Sequence, residues 1–437
     1  MSSRTLLVAL LAVFPAFSLA DVSVPNTPPG RAFNAWLEAF NSGDRARLES
    51  FTRAYMPRKN PDDYLGWREE VGGYELLEIY SSDKTNVFFH VKARANAVEE
   101  IGRVTVDAAD PHSVVALGSW RIPPGAKVEV TILDGAARSK LVERVAESFD
   151  SSYVYPDIGK KMAAAVRKGN ARGDFRAVIY GEDLARKLTE NLQGVSRDKH
   201  VEVRFSYFVR PEESPAMRSE REAQWLASMN CGFEKVEHLP PNIGYVKLNM
   251  FADTKVCAPT ASAAMNFVAD SDALIVDLRD NRGGGGGMVE YIASYLFAGR
   301  THLDDLFSRT ESATKEMWTS SDVPGRKFVA KPVFVLTSKQ TFSAAEYLAN
   351  VLRNLKRATL VGETTLGGAH TVESVGIDDH FMMRVPSGRP ITRTDWEGAG
   401  VEPDVKADAN QALDVAVKLA TEKIDAMRAL AASQEIR

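Results

Sequence analysis

The chain has 437 residues, of which 44% are hydrophobic and 26% are charged, a composition typical of a globular protein with more than one domain. Its formal net charge of −4 leaves no basic surplus for binding a nucleic acid. After the first residues, no apolar run approaches the roughly 20 residues of a membrane span. The totals therefore exclude a nucleic-acid-binding protein and an integral membrane protein.

The N-terminus has the pattern of a secretory signal peptide. Arg4 precedes an apolar run at residues 6–14, and Ser18-Leu-Ala20 supplies a small-x-small cleavage pattern. We therefore predict a signal peptide over residues 1–20 and an exported mature protein, either periplasmic or secreted.

Residues 21–130 are predicted to form a small α+β module. Phe33, Trp36 and Phe40 lie at helical spacing, a second short helix follows, and four strand-like runs come after it. The stretch FNAWLEAFNSGDRARLESF resembles the opening helices of the NTF2-like fold. We favour a structural or docking role for this module over a second active site.

The next two segments differ in their periodicity. Residues 136–207 carry apolar residues at helical spacing, including Leu184, Leu188 and Leu192, and are predicted to form a helical bundle. Residues 208–238 are rich in Glu and Arg without a strong period, so they are predicted to be a polar linker.

From residue 239 to residue 437, strand-like runs alternate with helical ones, which predicts an α/β core with a largely parallel sheet. Cys231 and Cys257 flank its first strand. In an oxidising compartment they could pair in a disulfide, and two buried free thiols are the alternative.

Ser343 lies between a strand with its polar loop and a predicted helix, Ala344–Asn354. Unpaired N–H groups and the helix dipole favour negative charge at this place, so a serine nucleophile and its oxyanion would be stabilised there. However, Ser343-Ala-Ala-Glu346 also matches a capping box, in which the serine only closes the first turn. The rest of the chain has to decide between these roles.

Three other stretches carry unusual loop chemistry. Five glycines, residues 283–287, stand between a strand and a helix, where they allow close backbone approach and can turn amide groups into a cleft. They lack the Gly-Lys-Ser/Thr sequence of a nucleotide-binding loop. His370 ends the stretch 362–370, and Glu397 lies in a glycine-rich turn, although carboxylates in loops are usually only solvated.

Together these stretches resemble the S41 family of serine peptidases. DALIVDLRDNRGGG, VFVLTSKQTFSAAEYLANVLRNLKRATLVGETTLGGAH and WEGAGVEPDV occur in the family's order, and the resemblance covers about Leu141 to Leu419. The family includes the tail-specific proteases, the tricorn core peptidase and the modules of interphotoreceptor retinoid-binding protein. The resemblance implies a crotonase-like α/β core preceded by a helical bundle, closest to the retinoid-binding-protein subgroup.

The resemblance also implies roles for single residues. Ser343 matches the family nucleophile, and the amides of Ala344 and of Gly283 or Gly284 would form the oxyanion hole. Tail-specific proteases activate their serine with a lysine, but Gly368 occupies that place in this chain. The serine-lysine dyad is therefore absent.

The tricorn-like branch implies a different base. By similarity to it, His200 would take the proton of Ser343, and Glu397 would orient or stabilise the imidazole. His370 is the rival base, because it stands near the position of the missing lysine.

These residues predict an exported serine-type peptidase that cleaves peptides or unfolded protein segments and requires no metal or organic cofactor. Residues 208–237 leave no room for the PDZ domain that tail-specific proteases usually carry. The missing lysine and the missing PDZ domain motivate an alternative, a non-catalytic carrier that binds hydrophobic ligands such as retinoids or fatty acids.

Overall fold

The computed structural model describes residues 22–130, 132–209, 214–391 and 395–435, so the predicted signal peptide lies outside the described residues. The α-helices are α1 (Pro28–Ser42), α2 (Arg45–Tyr55), α3 (Pro61–Val71), α4 (Gly135–Ser152), α5 (Pro156–Arg172), α6 (Gly181–Ser196), α7 (Pro215–Ser228), α8 (Thr254–Phe267), α9 (Gly286–Ser294), α10 (Ala344–Asn354) and α11 (Ala412–Glu435).

The strands belong to one four-stranded, one six-stranded, one five-stranded and one two-stranded sheet. They are β1 (Tyr74–Ser82), β2 (Asn86–Ala93), β3 (Glu99–Val106), β4 (Val114–Arg121), β5 (Lys127–Val128), β6 (Glu202–Phe205), β7 (Phe208–Val209), β8 (Phe233–Leu239), β9 (Ile243–Leu248), β10 (Ala273–Asp277), β11 (His302–Ser308), β12 (Ala313–Trp318), β13 (Val333–Thr337), β14 (Thr359–Gly362), β15 (Thr371–Gly376), β16 (Phe381–Pro390) and β17 (Val405–Lys406).

The chain divides into two compact units, the first made of the residues up to 130 together with 208–210. In it, helices α1–α3 accompany an antiparallel meander of β1, β2, β3 and β4, and β5 pairs with β7. The Thr27 side chain caps α1, and Phe33, Trp36 and Phe40 of this helix are completely buried. The unit is thus an α+β fold, and its resemblance to the NTF2-like fold stays a prediction.

The second unit is built on a six-stranded sheet with the order β17-β14-β13-β10-β9-β8. All neighbours are parallel except β8 and β9. Every residue of β10 and β13 is buried, as expected for strands covered on both faces. Helices α8, α9 and α10 contribute to the core on one face, and α11 packs on the other through Ala416, Ala420 and Ile424. The predicted α/β core is confirmed.

The helical bundle of the second unit shares its core with a strand from much later in the chain. Helices α4, α5 and α6 contribute to one apolar cluster with Val203 of β6 and Met383 and Val385 of β16. β16 pairs antiparallel with β6, β11 and β15, and β11 also pairs with β12. The pairing of β6 with β16 connects the helical segment, residues 136–207, to the α/β core. Strands β11, β12, β15 and β16 were not predicted from the pattern of apolar residues.

The predicted polar linker, residues 208–238, contains regular structure. Helix α7 and most of β8 lie within it, separated by a 3₁₀ turn at Asn230–Gly232. A disulfide joins Cys231 of this turn to Cys257 of α8. Only Leu226 of α7 is buried, so the helix lacks the apolar stripe from which a sequence would predict it. Among the described helices, none is long and apolar enough to cross a membrane.

Candidate active site

Ser343 lies at a strained strand-to-helix turn. Strand β13 ends at Thr337, a polar loop follows, and α10 begins at Ala344, as predicted. Ser343 has φ 58° and ψ −120°, whereas an ordinary N-cap serine such as Ser214 has an extended backbone with φ −60° and ψ 152°. A positive φ at a non-glycine residue is costly and recurs where a turn presents a nucleophile. The backbone therefore distinguishes Ser343 from a residue that only caps a helix.

The carboxylate of Glu346, which is completely buried, fixes this turn to a second loop. It accepts hydrogen bonds from the Ser343 amide at 2.8 Å and from the amides of Gly367 and Gly368 at 2.7 and 2.8 Å. The Thr365 hydroxyl is a fourth donor. Burial raises the pKa of Glu346, although these four donors favour the carboxylate. Glu346 thus serves as the acidic member of the capping box and also holds the loop that leads to His370.

The glycine loop lies against the same turn. The Asn281 side chain donates to the Leu248 carbonyl and accepts from the Gly283 amide, both at 2.8 Å. A Cβ atom on Gly283 would come within 2.7 Å of the Ser343 Cβ, and one on Gly284 within 2.2 Å of the Phe251 carbonyl oxygen. Glycine is therefore required at both positions by close packing.

The two glycines differ as candidates for the oxyanion hole. The Gly283 amide is engaged by the Asn281 side chain. The amides of Gly284 and Ala344 donate no hydrogen bond to any described residue, and both residues line the cavity that Ser343 also lines. Of the amides predicted from the sequence, those of Gly284 and Ala344 have the free donors that an oxyanion needs.

His370 lines this cavity too. Its Nδ1 is 2.6 Å from Asp198 Oδ2, and no described residue is a partner for its buried Nε2. Asp198 is 1% exposed, and it also accepts from the Tyr153 hydroxyl at 3.1 Å. One nitrogen of His370 is therefore fixed by a buried carboxylate and the other has no partner among the described residues, as in a histidine base before it receives a proton.

His200 occupies a different place. Its ring stacks on Phe342 with 4.4 Å between the centroids, and its Nδ1 is 3.6 Å from Asp198 Oδ1, beyond hydrogen-bond distance. Its side chain is completely buried and it is not among the residues that line the cavity. A Cβ atom on Gly368 would come within 2.6 Å of the ring. His200 and Phe342 therefore fill the space beside the position at which the resemblance expects a lysine.

Glu397 lies beside His370 and does not contact His200 in the described hydrogen bonds or ion pairs. Its Oε2 is 3.5 Å from His370 Nδ1 and accepts from the Ala369 amide at 2.6 Å. The Trp396 indole donates to the Gly368 carbonyl at 3.2 Å and so fastens the turn that carries Glu397 to the same loop. Glu397 therefore belongs to the surroundings of His370.

The ionisable groups of this cluster perturb one another. Burial opposes ionisation of Asp198, but the imidazoles of His200 and His370 hold its pKa below the ordinary value. Burial lowers the pKa of His200. Burial acts in the same direction on His370, but its hydrogen bond to Asp198 and the charge of Glu397 outweigh it and raise the pKa. Burial, reinforced by the charge of Asp198, raises the pKa of Glu397 to about 7.

Asp198, His370 and Glu397 each offer one donor atom within 4.8 Å of the others, a set that could in principle hold a metal ion. The 2.6 Å between His370 Nδ1 and Asp198 Oδ2 is a hydrogen-bond distance. Ligands at ~2.0–2.2 Å around one zinc ion stand further apart than this. The geometry fits a hydrogen-bonded pair better than a metal centre.

The residues predicted from the sequence thus lie in two places. Ser343, Gly284, Ala344 and His370 line one cavity of about 440 Å³. His200, buried beside Asp198, and Glu397, half-buried beside His370, are not among its lining residues. No role for Asp198 is predicted from the sequence. Its position in the polar loop 196–200, two residues before His200, is the available signal.

Comparison with known families gives two adjoining matches. The profile of Peptidase family S41 matches residues 242–407, and that of the N-terminal domain of Peptidase_S41 in eukaryotic IRBP matches residues 132–233. These ranges contain Ser343, His370, Glu397, Asp198 and His200.

Curated relatives match over part of their length. Carboxyl-terminal-processing peptidase 1 of Arabidopsis thaliana is 26% identical over 56% of this chain and 50% of the relative, and peptidase 2 of the same plant is 30% identical over 38% and 32%. The solved structure of a photosystem II D1 C-terminal processing protease has a TM-score of 0.40 at 17% identity, covering 62% of this chain and 94% of that one. The chain spans about half the length of the first curated relative and about a third of the second.

Proposed function

Because the chain carries a Peptidase family S41 domain together with the N-terminal domain that accompanies it, we propose that it is a serine-type peptidase. Ser343 is the nucleophile and His370 is its general base. Asp198 orients His370, and the amides of Gly284 and Ala344 stabilise the oxyanion. No metal or organic cofactor takes part.

The observation that carries this proposal is the arrangement of one cavity wall. Ser343, with a strained backbone, lines the same cavity as His370, whose Nδ1 is bonded to Asp198 and whose Nε2 has no partner among the described residues. A helix cap alone accounts for neither the strain nor the unpartnered nitrogen.

The reaction proceeds through an acyl-enzyme. His370 Nε2 takes the hydroxyl proton as Ser343 Oγ attacks the scissile carbonyl, and the negative charge that develops on the carbonyl oxygen is stabilised by the amides of Gly284 and Ala344. Asp198 stabilises the imidazolium, which then gives its proton to the leaving amine. In the second half of the reaction His370 activates a water molecule that hydrolyses the ester on Ser343.

The choice of His370 over His200 differs from the preference drawn from the tricorn-like branch. His200 is completely buried, stacks on Phe342 and does not line the cavity, so substrate and nucleophile have no evident path to its nitrogens. His370 is also buried, but it lines the cavity that Ser343 lines, and its ring is oriented by Asp198. The arrangement of His200 with Glu397 remains the competing hypothesis, and it is separable by mutation.

The proposed substrates are peptides or unfolded protein segments, and relatives named as carboxyl-terminal-processing peptidases support a peptide substrate. The predicted signal peptide places this activity outside the cytoplasm, in a periplasm or in the surrounding medium. Export is tested by sequencing the N-terminus of the protein recovered from a secretion-competent host, which should begin at residue 21.

The experiment for the activity pairs two serines at helix N-termini. A fluorophosphonate probe should label the wild type at Ser343, and a peptide library should be cleaved, whereas Ser343→Ala should abolish both. Ser214→Ala is the matched control, because Ser214 accepts a hydrogen bond from the Met217 amide as an ordinary cap and does not line the cavity. This variant should keep full labelling and cleavage.

Two results would contradict the proposal. Cleavage that persists in Ser343→Ala would exclude Ser343 as the nucleophile. A wild type that is neither labelled nor active, but that quenches its tryptophan fluorescence saturably with a retinoid or a fatty acid, would support the carrier alternative.

A further inference from the structure

The charges around the candidate cavity are of one sign. Arg282 and Arg384 line it, and among its lining residues in the described part of the chain none is Asp or Glu. Apolar side chains such as Leu306, Val372 and Trp396 make up much of the remaining wall. Two guanidinium groups therefore face a partly apolar cavity of about 440 Å³ without a carboxylate on the same surface.

Arg384 is only partly neutralised by its surroundings. It lies on β16, its side chain is 34% exposed, and its Nη1 is 3.9 Å from Glu202 Oε2. The same carboxylate oxygen is 2.7 Å from Arg204, so Glu202 pairs more closely with another cation. Burial and the charge of Arg204 both lower the pKa of Arg384, which indicates that the protein interior does not fully compensate this charge.

Arg282 approaches the cavity from the glycine loop. It is exposed, and its guanidinium donates to the neutral Gln340 side chain. No ion pair between Arg282 and a described carboxylate is present. Its charge is therefore available to a ligand that lies between the glycine loop and β16.

A guanidinium with a free face binds a carboxylate through paired, charge-assisted hydrogen bonds, which strengthen where water is scarce. From these two arginines we infer that the peptidase selects substrates with an acidic side chain, Asp or Glu, close to the scissile bond. Arg282 and Arg384 are the residues that determine this specificity. The inference rests on the proposed function and names its substrate class.

The test uses internally quenched peptides that place Asp or Asn, and Glu or Gln, at each position around one cleaved bond. Each peptide is made with an amidated C-terminus, so that the side chain is the only carboxylate that varies, and a second set with a free C-terminus is assayed in parallel. At the preferred position the wild type should show a kcat/KM about 10- to 100-fold higher for the acidic peptide, the range expected for a hydrogen bond to a charged group. The advantage should shrink as salt is added.

The double variant Arg282→Gln, Arg384→Gln should lose this preference while it still cleaves the neutral peptides. The double variant Arg282→Lys, Arg384→Lys keeps both positive charges but cannot make the paired hydrogen bonds of a guanidinium. It should retain part of the preference for acidic peptides. Arg428→Gln is the matched control, because Arg428 is exposed on α11, pairs with Asp272 and does not line the cavity. It should keep the full preference.

Failure of this inference can be distinguished from failure of the peptidase proposal. Equal cleavage of acidic and neutral peptides by a wild type that is labelled at Ser343 would overturn the acidic specificity alone. A preference that appears only in peptides with a free C-terminus would also overturn it, because the C-terminal carboxylate would then be the recognised group. A wild type with neither labelling nor cleavage would overturn both proposals.

Discussion

The two halves of the candidate site are built in different ways. The nucleophile half, comprising Ser343, Ala344, Glu346 and Gly284, rests on backbone geometry within two loops and one helix start. The base half, comprising Asp198, His200, His370 and Glu397, comes from three segments far apart in sequence. Each turn of the first half lies between a strand and the helix that follows it, whereas the second half exists only because the whole second unit folds.

The halves also differ in how well their polar atoms are satisfied. In the nucleophile half, both oxygens of Glu346 accept hydrogen bonds. In the base half, both ring nitrogens of His200, Nε2 of His370 and Oε1 of Glu397 are buried and lack a partner among the described residues. Unsatisfied buried polar atoms are costly and therefore rare. Of these four, only Nε2 of His370 belongs to a residue that lines the cavity, so this is the atom that we expect substrate to complete during the reaction. Mutations in the two halves should accordingly have different effects.

The largest effect should come from the two histidines. His370→Ala removes the proposed base and should lower kcat by roughly 10⁴-fold or more, since the serine then lacks a proton acceptor. His200→Ala removes a buried ring that packs on Phe342 and should reduce thermal stability more than kcat. Single-turnover kinetics and thermal unfolding of both variants separate these outcomes. The opposite ranking of the two kcat values would identify His200 as the base.

A smaller but still large effect is expected from Asp198→Asn. The asparagine cannot stabilise an imidazolium and favours the wrong tautomer of His370, so kcat should fall by roughly 10²- to 10⁴-fold. Asp395→Asn is the control, because it removes a carboxylate charge from the same neighbourhood without a bond to the ring of either histidine. The control should retain kcat within about tenfold. An Asp198→Asn variant as active as this control would show that the carboxylate serves only folding.

The different construction of the halves also explains how far the sequence could predict them. Ser343, the start of α10 and the glycine loop could be predicted because a strand, a loop and a helix start are adjacent in the chain. Asp198 could not be assigned, because its bond to His370 spans 172 residues. The antiparallel pairing of β16 with β6, which positions Arg384 at the cavity, is equally long-range.

The prediction of the general base depended on resemblance to the S41 family, and the packing around Gly368 shows why resemblance could not identify it. The missing lysine indicated that another base must act, but the identity of that base depends on which ring faces the cavity. His200 and His370 lie next to different oxygens of the same carboxylate, and Phe342 stacks on the ring of His200. Side-chain packing of this kind leaves no periodic pattern in a sequence. The same reason explains why α7, with one buried residue, was predicted as a linker.

The nucleophile half can be tested through Glu346→Gln. Four donors converge on the two oxygens of Glu346, whereas glutamine offers one oxygen and two further donors. At least one buried donor should lose its acceptor, so the free energy of unfolding should fall by about 1–3 kcal/mol. Urea unfolding measures this loss. The control Glu422→Gln, at an exposed position of α11, should stay within about 0.5 kcal/mol of the wild type. An equally small change in Glu346→Gln would contradict the role of Glu346 in holding the Ser343 turn to the loop of Gly367 and Gly368.

The smallest effect, and the one that best separates the two proposed base arrangements, concerns pH. A base must be neutral to accept a proton. The pKa of His370 is raised, in part by the charge of Glu397. The fall of kcat/KM on the acid side of the pH profile, its acid limb, should therefore be centred above the ordinary histidine value of about 6.5. Glu397→Gln removes that charge but keeps an oxygen for the Ala369 amide, so the limb should move to lower pH while kcat at the optimum changes little. Because the protonated imidazole is favoured in the folded state, His370 adds stability at low pH, and this stability is lost as pH rises through its raised pKa. Thermal unfolding of Glu397→Gln at several pH values should show a smaller loss. If Glu397 instead orients His200 as the base, the same substitution should lower kcat at every pH by roughly 10²-fold or more and leave the limb unmoved.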